Sequence, residues 1–204
     1  MQRLQEHLDA VKEKHPQWVG IFLQGSQNYN LDYEGSDVDS KLIVLPCFEE
    51  FVLNRKPTSY THIMENEEHV DVKDIRLMFD CFRKQNINFV EILFTKYCIL
   101  NPQYQALYQP VLDAAELIGR YNDFASLNCM CGTALEKRKA LCHPYPATAA
   151  KIEKFGYDPK QLHHILRLDE FMRRWLNGVP YADCLISQER EYLKRAKAGA
   201  ISLD

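Results

Sequence analysis

The sequence has no long apolar segment and no apolar N-terminal leader. No stretch approaches the roughly 18 consecutive apolar residues that a transmembrane helix requires, and the first residues, MQRLQEHLDAVKEKH, mix charges with isolated apolar positions. The seven cysteines are an odd number at irregular spacing, which is not the pattern of a disulfide framework. We therefore expect reduced thiols, no signal peptide, no membrane partner and a cytoplasmic protein.

Composition also excludes a disordered or fibrous chain, because 46% of the 204 residues are hydrophobic and can bury a core. Charge is distributed unevenly along the chain. Residues 1–132 contain 12 basic and 19 acidic residues, a net charge of −7, whereas residues 133–204 contain 13 and 9, a net charge of +4. An acidic part can bind cations and a basic part can face phosphates, although ordinary solvated helix surfaces give the same imbalance.

Hydrophobic periodicity predicts strands near the front of the chain and helices in most of the rest. We predict strands over residues 18–23, 37–45, 59–64 and 69–73, and helices over residues 2–14, 48–53, 74–85, 89–94, 104–121, 124–141, 159–176 and 188–198. This order predicts an α+β fold with a small mixed β-sheet core followed by a helical C-terminal region. Pro144 and Pro146 interrupt the helical pattern, so we place the boundary between residues 1–143 and residues 144–204.

The polar loop between the first two predicted strands is flanked by residues suited to phosphate and metal. Gly25 and Ser26 follow the first strand; glycine lets a phosphate approach the backbone, and serine offers a hydroxyl and an N–H. Asp37 and Asp39 open the second predicted strand, where side chains alternate between the two faces. We therefore expect both carboxylates on one face, with Lys41 further along it, as a ligand pair suited to Mg²⁺.

A second group of polar residues lies on the predicted helix over residues 159–176. Asp158 is suited to cap this helix and Pro159 to occupy its first turn. Lys160, His164 and Arg167 follow at spacings that place them on one helix face. Such a stripe can bind a triphosphate, with His164 contributing most when protonated, but a solvated helix face has the same spacing.

Gly25, Ser26, Asp37 and Asp39, with a strand on each side, resemble the G-S-x(n)-D-x-D signature of the polymerase β-like nucleotidyltransferases. The resemblance implies that the two aspartates bind Mg²⁺ or Mn²⁺ and that Gly25 and Ser26 contact the phosphates of an NTP. We assign Lys41, on the same predicted face, to nucleotide binding as well. A bare D-x-D is a weak signal, but this ordered combination is much more specific.

Members of that superfamily use a further carboxylate on a later strand, either to deprotonate the attacking hydroxyl or to bind the second metal ion. The best match is Asp71, because it lies between Val70 and Val72, which the period of a strand would bury on the opposite face. Asp74 is the rival. Its position directly before a helical pattern suits an N-cap better.

The C-terminal helix and a central segment carry a second resemblance. Lys160, His164 and Arg167 match the K-x3-H-x2-R-L helix of a group of predicted nucleotidyltransferases in bacteria and phages, some of which are found beside RNA ligase genes. Asn86 and Glu91 match the N-x4-E-x-L element of the same group. The resemblance implies that the three helix residues bind nucleotide.

Together these patterns predict transfer of a nucleoside monophosphate from an NTP to a hydroxyl, with release of pyrophosphate. The acceptor stays open between an RNA end, a protein hydroxyl and a small molecule, with RNA favoured by the basic second part. The alternative is a non-catalytic nucleotide-binding or antitoxin-like partner protein. The sequence departs from many relatives at residues 28–30, Asn-Tyr-Asn, where those carry a glycine and a basic residue.

Overall fold

The structure is a computed structural model that describes residues 1–33 and 35–203. The chain divides into two compact units. The first comprises Met1–Asn28 and Asp32–Asn122, and the second comprises Tyr29–Leu31 and Asp123–Asp204. The first unit ends at Asn122, and the helix that begins at Asp123 packs with the later helices.

The first unit is built on a five-stranded sheet. Its strands are β1 (Trp18–Gln24), β2 (Asp39–Val44), β3 (Ser59–Ile63), β4 (His69–Asp74) and β5 (Cys98–Leu100), in the order β3-β4-β2-β1-β5. Strands β2 and β4 are parallel, whereas the other neighbouring pairs are antiparallel. This confirms the predicted mixed sheet within an α+β fold. The sequence did not predict β5.

The helices of the first unit cover the sheet. They are α1 (Gln2–Val11), α2 (Phe48–Val52), α3 (Ile75–Arg83), α4 (Ile87–Val90), α5 (Gln105–Asp113) and α6 (Ala115–Gly119). The apolar side of α1, Leu4, Leu8 and Val11, packs against one face of the sheet formed by Ile21, Leu42, Val44, Val70 and Val72. Each buried side chain of this size contributes about 1.5–3 kcal/mol to folding. The opposite face of β2 and β4 carries Asp39, Lys41 and Asp71.

The second unit is helical. Its elements are α7 (Asp123–Leu141), α8 (Ala149–Phe155), α9 (Pro159–Leu176), α10 (Tyr181–Leu185) and α11 (Arg190–Lys197). Helix α9 is central, because α7, α10 and α11 all pack on it. The short segment Tyr29–Leu31 joins this unit through a hydrogen bond from the Ser187 N–H to the Tyr29 carbonyl, at 3.2 Å.

Two expectations about composition are answered by the structure. The seven cysteines are all free, as expected for reduced thiols. Within the described residues, no helix is both long enough and apolar enough to cross a membrane.

Candidate nucleotide and metal site

The turn after β1 places a glycine next to the start of β2. Gln24, the last residue of β1, pairs with Asp39, the first residue of β2, so Gly25 and Ser26 follow directly beside the predicted metal-binding segment. Gly25 has φ of 91°, a conformation that L residues rarely adopt. A Cβ at this position would meet nothing nearer than Gln27 Oε1 at 3.9 Å. The turn therefore requires glycine for its backbone and leaves open space in front of it.

Side chains hold this turn in place from both sides. The Asn28 amide donates to the Leu23 carbonyl at 2.8 Å, and the Thr95 hydroxyl donates to Asn28 Oδ1 at 2.7 Å. The Gln27 amide donates to the backbone carbonyl of Asp37 at 2.9 Å. The turn and the Asp37 segment are therefore tied together before any ligand binds.

The Asp37-Val38-Asp39 segment differs from its prediction in one respect. Strand β2 begins at Asp39 rather than at Asp37, so strand alternation places Asp39 and Lys41 on one face and says nothing about Asp37. Asp37 is exposed ahead of the strand, and Asp39 is 46% exposed. The N–H and ring Nδ1 of His69 each lie 3.2 Å from Asp39 Oδ1. Asp39 is thus oriented by β4 while it stays open to solvent.

Asp71 lies on the same face of the sheet as Asp39. The parallel register of β2 and β4 pairs Lys41 with Asp71, which makes Asp39 and Asp71 diagonal neighbours with Cβ atoms roughly 7–8 Å apart. The Thr61 hydroxyl of β3 donates to Asp71 Oδ1 at 2.6 Å. Val70 and Val72 are completely buried on the opposite face, as predicted.

The rival carboxylate, Asp74, is part of the fold. It is 1% exposed, and it caps α3 by accepting a hydrogen bond from the Arg76 N–H at 2.8 Å. The Arg76 guanidinium donates to both of its oxygens, at 3.0 and 2.6 Å. Alternation along β4 puts Asp74 on the face of Val70 and Val72, away from Asp39. The geometry therefore favours Asp71 as the further site carboxylate.

Lys41 is buried, although we expected it to contact nucleotide. It is 2% exposed, its ammonium donates to the Asn88 carbonyl at 2.8 Å, and it lies 3.8 Å above the Phe89 ring. Burial lowers the pKa of Lys41 to about 8, while the neighbouring carboxylates of Glu91 and Asp71 act in the opposite direction. In the structure Lys41 joins β2 to α4, and its contact with nucleotide stays a prediction.

The carboxylates suit a metal ion that is shared with a substrate. Among the residues that the structure describes, no three His, Cys, Asp or Glu side chains are grouped as a complete metal site. Mg²⁺ is commonly bound by one or two carboxylates together with substrate phosphates and water, rather than by an all-protein cage. Asp39 and Asp71, with Asp37 beside them, provide oxygen ligands of this kind next to the open Gly25 turn.

The predicted helix caps of α9 are present, whereas the surroundings of His164 disfavour a protonated ring. Asp158 accepts from the Lys160 N–H at 2.9 Å, and Pro159 occupies the first turn. The pKa of His164 falls to about 3, first because the ring is buried and then because Arg167 and other cations surround it. His164 is therefore neutral at physiological pH and can act there only as a hydrogen-bonding group.

Arg167 is a buried cation that has no charged partner among the described residues. It is 8% exposed, and its guanidinium carbon lies 3.9 Å from the centre of the Tyr29 ring. Its Nε is buried and unbonded, and among the described residues no carboxylate pairs with it. The charges that act on His164 include Arg167, Lys137 and Lys160, all positive. An unpaired buried charge is costly, so this cluster has the character of an anion-binding site.

Sequence reasoning assigned no role to Tyr29 or Lys137. Tyr29 lies in the Asn-Tyr-Asn stretch that departs from the relatives, and that departure was the available signal. Lys137 is on α7, and only the packing of α7 on α9 brings it near His164. No local pattern in the sequence indicates that contact.

Comparisons with known proteins add little to these observations. No protein-family model and no curated protein matches the sequence. The solved structures to which the chain is similar include a nucleotidyltransferase-like protein from Exiguobacterium sibiricum 255-15, with 11% identity and a TM-score of 0.35 over 95% of this chain and 72% of that chain. A likeness this distant carries no argument, so the functional assignment depends on the residues described above.

Proposed function

We propose that this chain is a metal-dependent nucleotidyltransferase that moves an NMP from an NTP to a hydroxyl acceptor and releases pyrophosphate. The observation that carries the proposal is the position of Asp39 and Asp71 on one face of adjacent parallel strands, beside the Gly25–Ser26 turn. This arrangement brings carboxylate ligands and an open turn suited to phosphate to the same edge of the sheet.

Each residue has a defined task in this proposal. Asp37, Asp39 and Asp71 would bind Mg²⁺ or Mn²⁺, which neutralises charge on the triphosphate and on the departing pyrophosphate. The acceptor oxygen attacks the α-phosphorus and its proton passes to Asp71, while the bond from the α-phosphorus to the bridging oxygen breaks. Gly25 and Ser26 present the turn to the β- and γ-phosphates.

We assign phosphate binding to cations on helix α9 of the second unit. Lys160 is exposed at the start of α9, and Arg167 is buried with no carboxylate partner in the part of the chain that the structure describes, which supports anion binding by this helix. His164, being neutral, would donate a hydrogen bond rather than a charge. We expect an RNA end as the first acceptor to test, because residues 133–204 have a net charge of +4; protein hydroxyls and small molecules follow.

The test is transfer of label from each α-³²P-labelled NTP, with Mg²⁺ or Mn²⁺, to total RNA or total protein. Asp37→Asn combined with Asp39→Asn should reduce transfer by at least ~10²-fold. Asp113→Asn, an exposed helix carboxylate of the same unit, is the matched control and should retain transfer. Binding of NTP without label transfer to any acceptor would favour the non-catalytic alternative. Full transfer by the double variant would contradict the catalytic assignment.

A further inference from the structure

A buried polar cluster lies on the side of β2 opposite the candidate site. Its centre is Glu68, which is 2% exposed in the turn that leads into β4. The Glu68 carboxylate accepts hydrogen bonds from the Arg3 guanidinium, from His7 Nε2 at 3.1 Å and from the Asn66 amide at 2.9 Å. A carboxylate this buried persists in a fold only when donors satisfy it.

The fourth donor to Glu68 is the backbone N–H of Val38, the residue between Asp37 and Asp39. The pairing of β2 with β4 begins only at Ser40 and Val70, so the sheet ladder does not hold Val38. Glu68 holds the Val38 backbone, and the next residue, His69, contacts the Asp39 carboxylate. Glu68 and His69, which are consecutive at the start of β4, therefore contact the predicted metal-binding segment beyond the point where the pairing of β2 with β4 ends.

His7 of α1 fixes the direction of the Glu68 carboxylate. The His7 ring is 1% exposed and lies between Glu68 and Ser40, with Nδ1 2.9 Å from the Ser40 hydroxyl. Burial, followed by the charge of Arg3, lowers the pKa of His7. An ionised carboxylate can only accept hydrogen bonds, so His7 Nε2–H donates to Glu68, and the lowered pKa favours an Nδ1 that accepts from the Ser40 hydroxyl.

We propose that Glu68 is a positioning residue, oriented by His7, that holds the Asp37-Val38-Asp39 backbone in the conformation needed to bind metal and nucleotide. This inference rests on the proposed function for its catalytic consequence. The positioning contact itself is a property of the resting protein. It can therefore be measured whether or not the protein transfers nucleotide.

Two substitutions at Glu68 separate positioning from stability. Glu68→Met removes every acceptor and should speed hydrogen exchange of the Val38 amide by at least about tenfold. It should also lower the transfer rate by up to about 10²-fold through misplacement of the carboxylates. Glu68→Gln keeps an oxygen that can accept from Val38, so it should retain amide protection and most of the rate, even though the melting temperature falls.

Two controls use residues outside the candidate site. Arg3→Gln removes a donor to the same carboxylate from its solvent side, and should leave both Val38 exchange and transfer unchanged. Leu8→Ala creates a cavity in the core under the same sheet and gives a destabilised protein with its Glu68 contact intact. At equal melting temperature, its transfer rate should exceed that of Glu68→Met.

The outcomes are distinct. Slow Val38 exchange in Glu68→Met would overturn the positioning contact. Equal rate losses in Glu68→Met and Leu8→Ala at equal melting temperature would reduce Glu68 to a stability role and overturn its part in catalysis. If Glu68→Met does not fold, the wild-type protein still tests the contact, because a Val38 amide that exchanges at the unprotected rate would overturn it. If the wild-type protein transfers no nucleotide while exchange behaves as expected, the proposed function fails and the positioning contact stands.

Discussion

Replacing Arg167 with methionine should stabilise the protein and weaken its binding of polyphosphate. Arg167 is 8% exposed and has no carboxylate partner among the described residues, and Lys137 and Lys160 add positive charge to its surroundings. Methionine keeps an unbranched apolar stem of similar length. The substitution therefore removes a buried charge while it preserves most of the packing.

The magnitude follows from two opposing terms. A buried charge without a partner costs about 3–5 kcal/mol. The contact with the Tyr29 ring, at 3.9 Å, returns about 2 kcal/mol when it is shielded from water. Removing both should raise the free energy of unfolding by about 1–3 kcal/mol. For a chain of this size, each kcal/mol corresponds to a rise in melting temperature of roughly 2–4 °C.

The same helix provides the control. Arg174 donates to the carbonyls of Ile186 and Asp183, at 2.7 and 2.8 Å, and lies 3.6 Å from the buried Glu170 carboxylate. Arg174→Met leaves these acceptors unpaired, so it should lower the free energy of unfolding by about 1–3 kcal/mol. Two arginines on one helix should therefore change stability in opposite directions.

Urea unfolding, with and without inorganic triphosphate, measures both effects of Arg167. Triphosphate at 100 times its dissociation constant should stabilise the wild-type protein by about 2.7 kcal/mol, and it should stabilise Arg167→Met much less. Destabilisation of Arg167→Met comparable to that of Arg174→Met would refute the claim that Arg167 is unpaired. An equal gain from triphosphate in the wild-type protein and Arg167→Met would refute its role in anion binding.

The remaining predictions concern the carboxylates of β4 and the partly buried His164 of α9. Asp71→Asn should lower transfer by at least ~10²-fold while NTP affinity is retained. Asp74→Asn keeps the helix cap but weakens the pair with Arg76, so it should lower the free energy of unfolding by about 1.5–3 kcal/mol with kcat unchanged; the reverse pattern would assign the catalytic role to Asp74. Because the pKa of His164 is lowered to about 3 from 6.5, its contribution to stability is complete above pH 6.5 and is lost as the pH falls toward 3. His164→Gln should reduce the acid sensitivity of urea unfolding across that range, and an unchanged sensitivity would contradict the assignment.

The sequence predicted helices and strands best where local residue patterns mark both the interior and the two ends of the element. Helix α9 has the predicted bounds, because Asp158 and Pro159 define its start and a long apolar stripe defines its length. Strand β5, Cys98–Leu100, was missed because three residues are too few to show an alternating pattern. It is a strand only because β1 has a free edge to pair with. The boundary at residue 143 followed the prolines, whereas the packing of α7 on α9 sets the division that the structure has.

The candidate site was predictable in its residue types but not in its environment. Asp71 could be selected from its valine neighbours, yet its position beside Lys41 depends on a parallel register that no local pattern encodes. Burial is also a long-range property. For that reason the sequence could not show that Lys41 is enclosed by Asn88 and Phe89, or that His164 is neutral.

Charged side chains of the same type differ in their hydrogen-bond partners and in their exposure to solvent. These differences separate charges that stabilise the fold from charges that are available to a ligand. Glu68 and Asp74 are buried and fully engaged with donors, whereas Asp39 is half exposed and oriented from one side. Arg174 is paired with backbone carbonyls, whereas Arg167, a few residues earlier on the same helix, is buried and has no charged partner within residues 1–33 and 35–203. A fold selected for stability alone gains by pairing or removing such a cation. The buried charge of Arg167, uncompensated among the described residues, is therefore the physical reason to expect that α9 binds an anion such as phosphate.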